Sequence, residues 1–134
     1  MVVEAAIILP VLVIASMAFL EYSYIMQKRQ QIENACRNGA RVGSRLDATR
    51  QEAIDRATAL MNSYHFDVVG FTIEIIDAAG VDIGDQTAWE DHDRGDAFTM
   101  RITVPYDGTS LEVTNTPIIP VPEQLVADVT MAFE

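Results

Sequence analysis

Met1-Val2-Val3-Glu4-Ala5-Ala6-Ile7-Ile8-Leu9-Pro10-Val11-Leu12-Val13-Ile14-Ala15-Ser16-Met17-Ala18-Phe19-Leu20 is an apolar run interrupted by one carboxylate, Glu4, and one proline, Pro10. A helix of about 20 apolar residues matches the ~30 Å hydrocarbon core of a bilayer, whereas a secretory signal has a shorter apolar core behind a basic leader. No basic residue precedes this run. An ionisable side chain inside such a segment is costly, so Glu4 calls for a partner or a place near the membrane boundary. The nearest candidate partner is an α-amino group, its own or that of a neighbouring copy.

The helical pattern continues past Leu20. An aromatic cluster, Phe19, Tyr22 and Tyr24, is of the kind that sits at a lipid headgroup layer. Beyond it Ile25, Ile32, Ala35, Cys36, Gly39, Val42 and Gly43 keep helical spacing with no proline between them. One helix over residues 1–46 follows, of which 1–24 suits a membrane or a filament core. At 1.5 Å per residue it reaches roughly 65 to 70 Å, so part of it must pack along something else. Pro10 lacks an N–H and its ring crowds the preceding turn, which predicts a kink or a locally melted turn there.

Ala35, Gly39 and Gly43 recur every four residues and form a small-residue seam that another backbone can approach closely. Arg37, Arg41 and Arg45 have the same spacing on a different face. They are either a solvated stripe or a contact for an acidic neighbouring head. Thr49-Arg50-Gln51-Glu52 has the spacing of a capping box and opens a second, shorter helix over 49–64, with Ile54, Ala57 and Met61 as its apolar stripe and His65 at its end.

From residue 66 onward the period becomes two. Alternating apolar residues predict strands near 70–77, 96–105 and 125–133, each with one apolar face. Such strands suit a three- to four-stranded antiparallel sheet covered on one side by the helices. The fold class is α+β: the long helix 1–46, then a globular head over 47–134 with the short helix and the sheet. An acidic loop, 77–96, and a loop with Pro117, Pro120 and Pro122 connect the strands.

Charge is uneven. Residues 1–65 carry net +1 and residues 66–134 net −12, which together make the −11 of the chain. Such a polyanion repels nucleic acid, and its acidity serves solubility. The single cysteine, Cys36, permits no internal disulfide and lacks the spacing of a thiolate metal site. No phosphate loop, HExxH or nucleophile elbow is present, and two histidines do not make a triad, so no enzyme and no cofactor is expected. Asp91, Asp93 and Asp96 with Gly95 offer oxygen ligands for a hard cation, but without the spacing of an EF-hand loop. Trp89 beside them reads as an anchor for the loop.

Val2-Val3-Glu4-Ala5-Ala6-Ile7-Ile8-Leu9-Pro10, then Phe19-Leu20-Glu21-Tyr22, then Ile32-Glu33-Asn34-Ala35-Cys36-Arg37-Asn38-Gly39-Ala40-Arg41, resembles the TadE-like pilins and pseudopilins of tight-adherence systems, relatives of type IV pilins. Gly95-Asp96 leading into a strand, and the closing Val129-Thr130-Met131, are similar to that family in pattern. The resemblance implies a pilin-like head. It implies a prepilin peptidase that removes a basic leader, inner-membrane assembly machinery, and a helical homo-oligomer on the cell surface serving as an adhesive fimbrium. It implies that Glu4 neutralises the amino terminus of an adjacent copy, and that Glu4, Pro10, Ala35, Gly39 and Gly43 serve assembly. The family's glutamate is usually the fifth mature residue, whereas here it is the fourth, so this chain begins one residue late or is processed differently. The other reading is a single-span membrane-anchored protein whose acidic extracytoplasmic head binds a cation or a protein partner.

Overall fold

The structure, a computed structural model, describes residues 2–45, 47–106 and 122–134. The first element, α1, runs from Val2 to Gly43 without interruption and includes Pro10. At 1.5 Å per residue its 42 residues extend about 63 Å. Of the kink or melted turn expected at Pro10, the melted turn is absent, because the helix runs through it. Pro10 lies in the free-standing, exposed part of the helix.

A short link leads to α2, Arg50–Ser63. Its start is the capping box read from sequence: the Thr49 hydroxyl accepts the Glu52 N–H at 3.2 Å, and the Glu52 carboxylate accepts the Thr49 N–H at 3.3 Å. Its end is a Schellman turn. The Phe66 N–H donates to the Met61 carbonyl at 3.1 Å and the His65 N–H to the Asn62 carbonyl at 3.0 Å, with His65 left-handed at φ 62°. That geometry turns the chain so that Phe66 falls into the core beside Met61, both fully buried.

The sheet is antiparallel, in the order β1 (Thr72–Asp77), β2 (Ala97–Pro105), β3 (Gln124–Ala132). These are the three strands that the alternation predicts. Among the described residues the candidate fourth strand amounts to a single bridge, Ile76 to Asp82, on the free edge of β1. Of the proline loop, Pro122 is described and exposed, while Pro117 and Pro120 lie outside the described residues.

The central strand β2 turns Phe98, Met100, Ile102 and Val104 inward, all fully buried, against Ile32, Ala35, Cys36 and Ala40 of α1. Burying each large apolar side chain contributes on the order of 1.5 to 3 kcal/mol, and this layer is where the head gains most of its stability. Ala53, Ala57 and Met61 of α2 complete the core, meeting α1 beside β2 along Gly39 and Gly43. The acidic loop contains an element that the sequence pattern does not predict: α3, Gln86–Glu90, capped by the Asp85 carboxylate on the Ala88 N–H at 2.8 Å. Five residues is too short a span for helical periodicity to register.

Candidate assembly surfaces

Two halves of α1 meet different surroundings. From Glu4 to Leu20 nearly every side chain is exposed, Ile7 at 67% and Phe19 at 72% among them. This helix is long and apolar enough to cross a membrane, with mean hydropathy 2.1 over its most apolar window. Glu4 stands on this free half, exposed, with no ion pair to any described residue. The transition comes at Glu21, which is 3% exposed, and then at Lys28, whose ammonium lies 4.9 Å from the Phe66 ring centroid and 5.5 Å from that of Tyr24. Those cation–π contacts fix the helix where it enters the head.

Within the head the small-residue seam is already occupied. A Cβ on Gly39 would lie 2.7 Å from Met100 Sδ, 2.9 Å from Ala57 Cβ and 3.0 Å from the Ala53 carbonyl oxygen. One on Gly43 would lie 3.0 Å from Trp89 Cη2 and 3.2 Å from Ala53 Cβ. Ala35 is fully buried as well. For Ala35, Gly39 and Gly43 the close approach that small residues permit is made by α2 and β2 of the same chain. No room is left for a second copy.

The arginine ladder is split. Arg37 pairs with Glu33 one turn earlier on α1. Arg41 and Arg45 instead line a cleft with Arg56 of α2, Asn38, Ser44 and Glu134. Nothing in the sequence links Arg56 to the ladder, since the two helices are brought side by side only by the packing of Gly39 against Ala53 and Ala57. The Glu134 N–H donates to the Ser44 carbonyl at 2.8 Å and draws the end of β3 to the same place.

The acidic loop is ordered by its own hydrogen bonds. Asp77 Oδ1 accepts from the Ala79 and Val81 N–H groups at 2.8 Å each, and Asp96 Oδ2 accepts the Asp93 N–H at 2.9 Å. Among the described residues no three His, Cys, Asp or Glu side chains are arranged to hold a metal ion. Asp93 and Asp96 close a hydrogen-bonded turn on each other, while the Asp91 N–H donates to the Thr87 carbonyl at the end of α3. Trp89 is 5% exposed, donates its indole N–H to the Ala48 carbonyl at 3.0 Å, and meets Phe98 and Phe133 edge-on at 5.3 and 4.8 Å between centroids. It pins α3 to the end of α1.

Cys36 is fully buried and its thiol donates to the Met100 carbonyl at 3.0 Å. Burial pushes that thiol up to about 12, so it stays protonated and unreactive. On the outer face of the sheet Arg101 binds Asp128 through two hydrogen bonds of 2.9 and 3.1 Å, which hold the Asp128 carboxyl below its usual range.

Comparison with curated proteins and with solved structures finds no match. Residues 1–41, the free apolar half of α1 and nearly all of the part built into the head, match the family described as TadE-like protein, the one that the residues of this stretch resemble.

Proposed function

We propose that this chain is a structural subunit of an extracellular, Tad-type pilus filament, held in the inner membrane before assembly and packed afterwards through the apolar half of α1. The observation that carries this reading is the division of one helix into two uses. Residues 24–43 are consumed by the head, while residues 4–20 present apolar side chains on every side. A helix apolar all round is covered by lipid or by other helices. The TadE-like match and an apolar helix of spanning length fit a pilus-related, membrane-anchored protein, and a filament covers the same surface with copies of that helix.

Within this reading a prepilin peptidase exposes the helix and Glu4 pairs with the amino terminus of an adjacent copy. The test is negative-stain microscopy of sheared cell-surface material from cells carrying the native chain or Glu4→Ala. Removing the carboxylate makes membrane insertion easier, so the variant should reach the membrane in normal amount while filament yield falls sharply. Normal yield from Glu4→Ala removes the role of Glu4. A native chain that stays membrane-bound and gives no fibres turns the reading into that of a single-span anchor with an acidic head.

A further inference from the structure

Three of the nine basic residues of the chain, Arg41, Arg45 and Arg56, line one cleft of about 490 Å³, in which Glu134 is the one acidic side chain among the described residues, so that the arginines outnumber it. All three are exposed, and none forms an ion pair with a described residue, whereas Arg37 and Arg101 each have a carboxylate. Copies of a chain with net charge −11 repel one another over most of their surface. This cleft is a place where that repulsion reverses.

The matching surface lies at the same end of the head. Trp89 anchors α3 against Gly43, and Arg41 lies two residues before Gly43, about 200° around a helix of 3.6 residues per turn. Trp89 and α3 therefore lie across the end of α1 from Arg41, at similar height, and the acidic loop returns towards the cleft only at Gly95 and Asp96, which pair with Phe133. Asp82, Asp85, Glu90, Asp91 and Asp93 are exposed on that loop and make no ion pair with described residues. A positive patch on one side and a negative patch on the other, at one level, is the arrangement of a head-to-tail contact that propagates from copy to copy. A lipid headgroup does not fit as the anion. Arg41 stands about 31 Å along the helix from Leu20 at 1.5 Å per residue, well beyond the interfacial layer of a membrane spanned by residues 4–20.

We infer that the cleft of Arg41, Arg45 and Arg56 receives the acidic α3 loop of a second copy of this chain. The inference rests on the filament reading only in that copies stand side by side. The contact is screened by salt and adds orientation to packing that the apolar helices leave rotationally free.

The experiment mixes two full-length copies in vesicles of zwitterionic lipid, one carrying Asn38→Cys in the cleft and the other Thr87→Cys on α3. Buried Cys36 gives no background. On mild oxidation the mixed disulfide should exceed either like-with-like product. Arg41→Glu, Arg45→Glu and Arg56→Glu together in the first copy should lower it about tenfold or more, because like charges then face each other. Glu90→Arg, Asp91→Arg and Asp93→Arg in the second copy should restore it, which also shows that the reversed cleft is folded. Absence of the mixed product with native charges, its persistence after reversal, failure of the swap to restore it, or its appearance only with anionic lipid would each overturn the inference. Vesicles contain no fibres, so this outcome is independent of whether sheared cells yield filaments.

Discussion

At Gly39 a single hydrogen in place of a methyl decides how closely two layers approach. Gly39→Ala gains about 1 kcal/mol of helix propensity, but its methyl must enter a space bounded by Met100 Sδ, Ala57 Cβ and the Ala53 carbonyl. Met100 can shift; the α2 backbone cannot without moving the helix. Overpacking of this kind costs about 1 to 3 kcal/mol, so the net change is destabilising and the melting temperature of the head falls by several degrees, with exposed Gln30→Ala as the control. An unchanged or higher melting temperature for Gly39→Ala would show that the seam is not close-packed. Asp128 gives a residue-scale prediction in pH. Its folded-state carboxyl is held below its ordinary value of 3.8 by the Arg101 hydrogen bonds, so its contribution is present above that value and is lost as pH falls through the folded one. The pair is surface-exposed and its effect small. Asp128→Asn should lower stability slightly at neutral pH, and its difference from the native chain should vanish in acid, as followed by chemical denaturation at a series of pH values. A difference that grows on acidification would contradict the sign.

At the scale of elements, α2 depends on its first turn. The Thr49 hydroxyl and the Glu52 carboxylate satisfy two backbone donors there, beside the Arg50 N–H, which donates to Gln86 Oε1 at 3.0 Å. Thr49→Ala should cost about 1 kcal/mol and Thr49→Ser much less. A Thr49→Ala chain as stable as the native one in a denaturant titration would mean that burial of Ala53, Ala57 and Met61 alone holds the helix. Of that stripe Ala57 and Met61 are legible from their helical spacing, whereas the sequence points to Ile54, which is half-buried, and not to Ala53, which the packing buries. The strands were legible for the same kind of reason: β2 alternates strictly from Phe98 to Val104, and the alternation appears as alternating burial. α3 was not legible, because its one turn is selected by Trp89 reaching Phe98, Phe133 and the Ala48 carbonyl, partners distant in sequence.

For the whole molecule, the first fully buried core residue is Ile32, and the residues before Glu21 contribute nothing to that core. A chain lacking residues 1–20 is therefore expected to keep the secondary structure and cooperative melting of the head while no longer needing detergent. Loss of cooperative melting in that truncation, followed by circular dichroism, would mean that the free half of α1 supports the head. The same division explains the charge. The net −12 of residues 66–134 lies on a head that must stay hydrated, whereas the apolar half of α1 carries only Glu4.

The sequence by itself determined the elements and their order: an apolar helix of membrane length extended into a head, a capped second helix, three half-buried strands, and the TadE-like character of residues 1–41. These are local properties, carried by period, capping spacing and composition, and each can be read within one turn or one strand. Tertiary structure alone decided what touches what. The spacing of Ala35, Gly39 and Gly43 announces a close approach but not its partner; the partner is α2 and β2 because the link after α1 folds α2 back along it. Likewise the spacing of Arg37, Arg41 and Arg45 describes one stripe, which packing divides into a pair with Glu33 and a cleft shared with Arg56. Periodicity fixes the direction in which a side chain leaves its own element, and only the packing of a second element against it settles whether that direction meets solvent, the core or another charge.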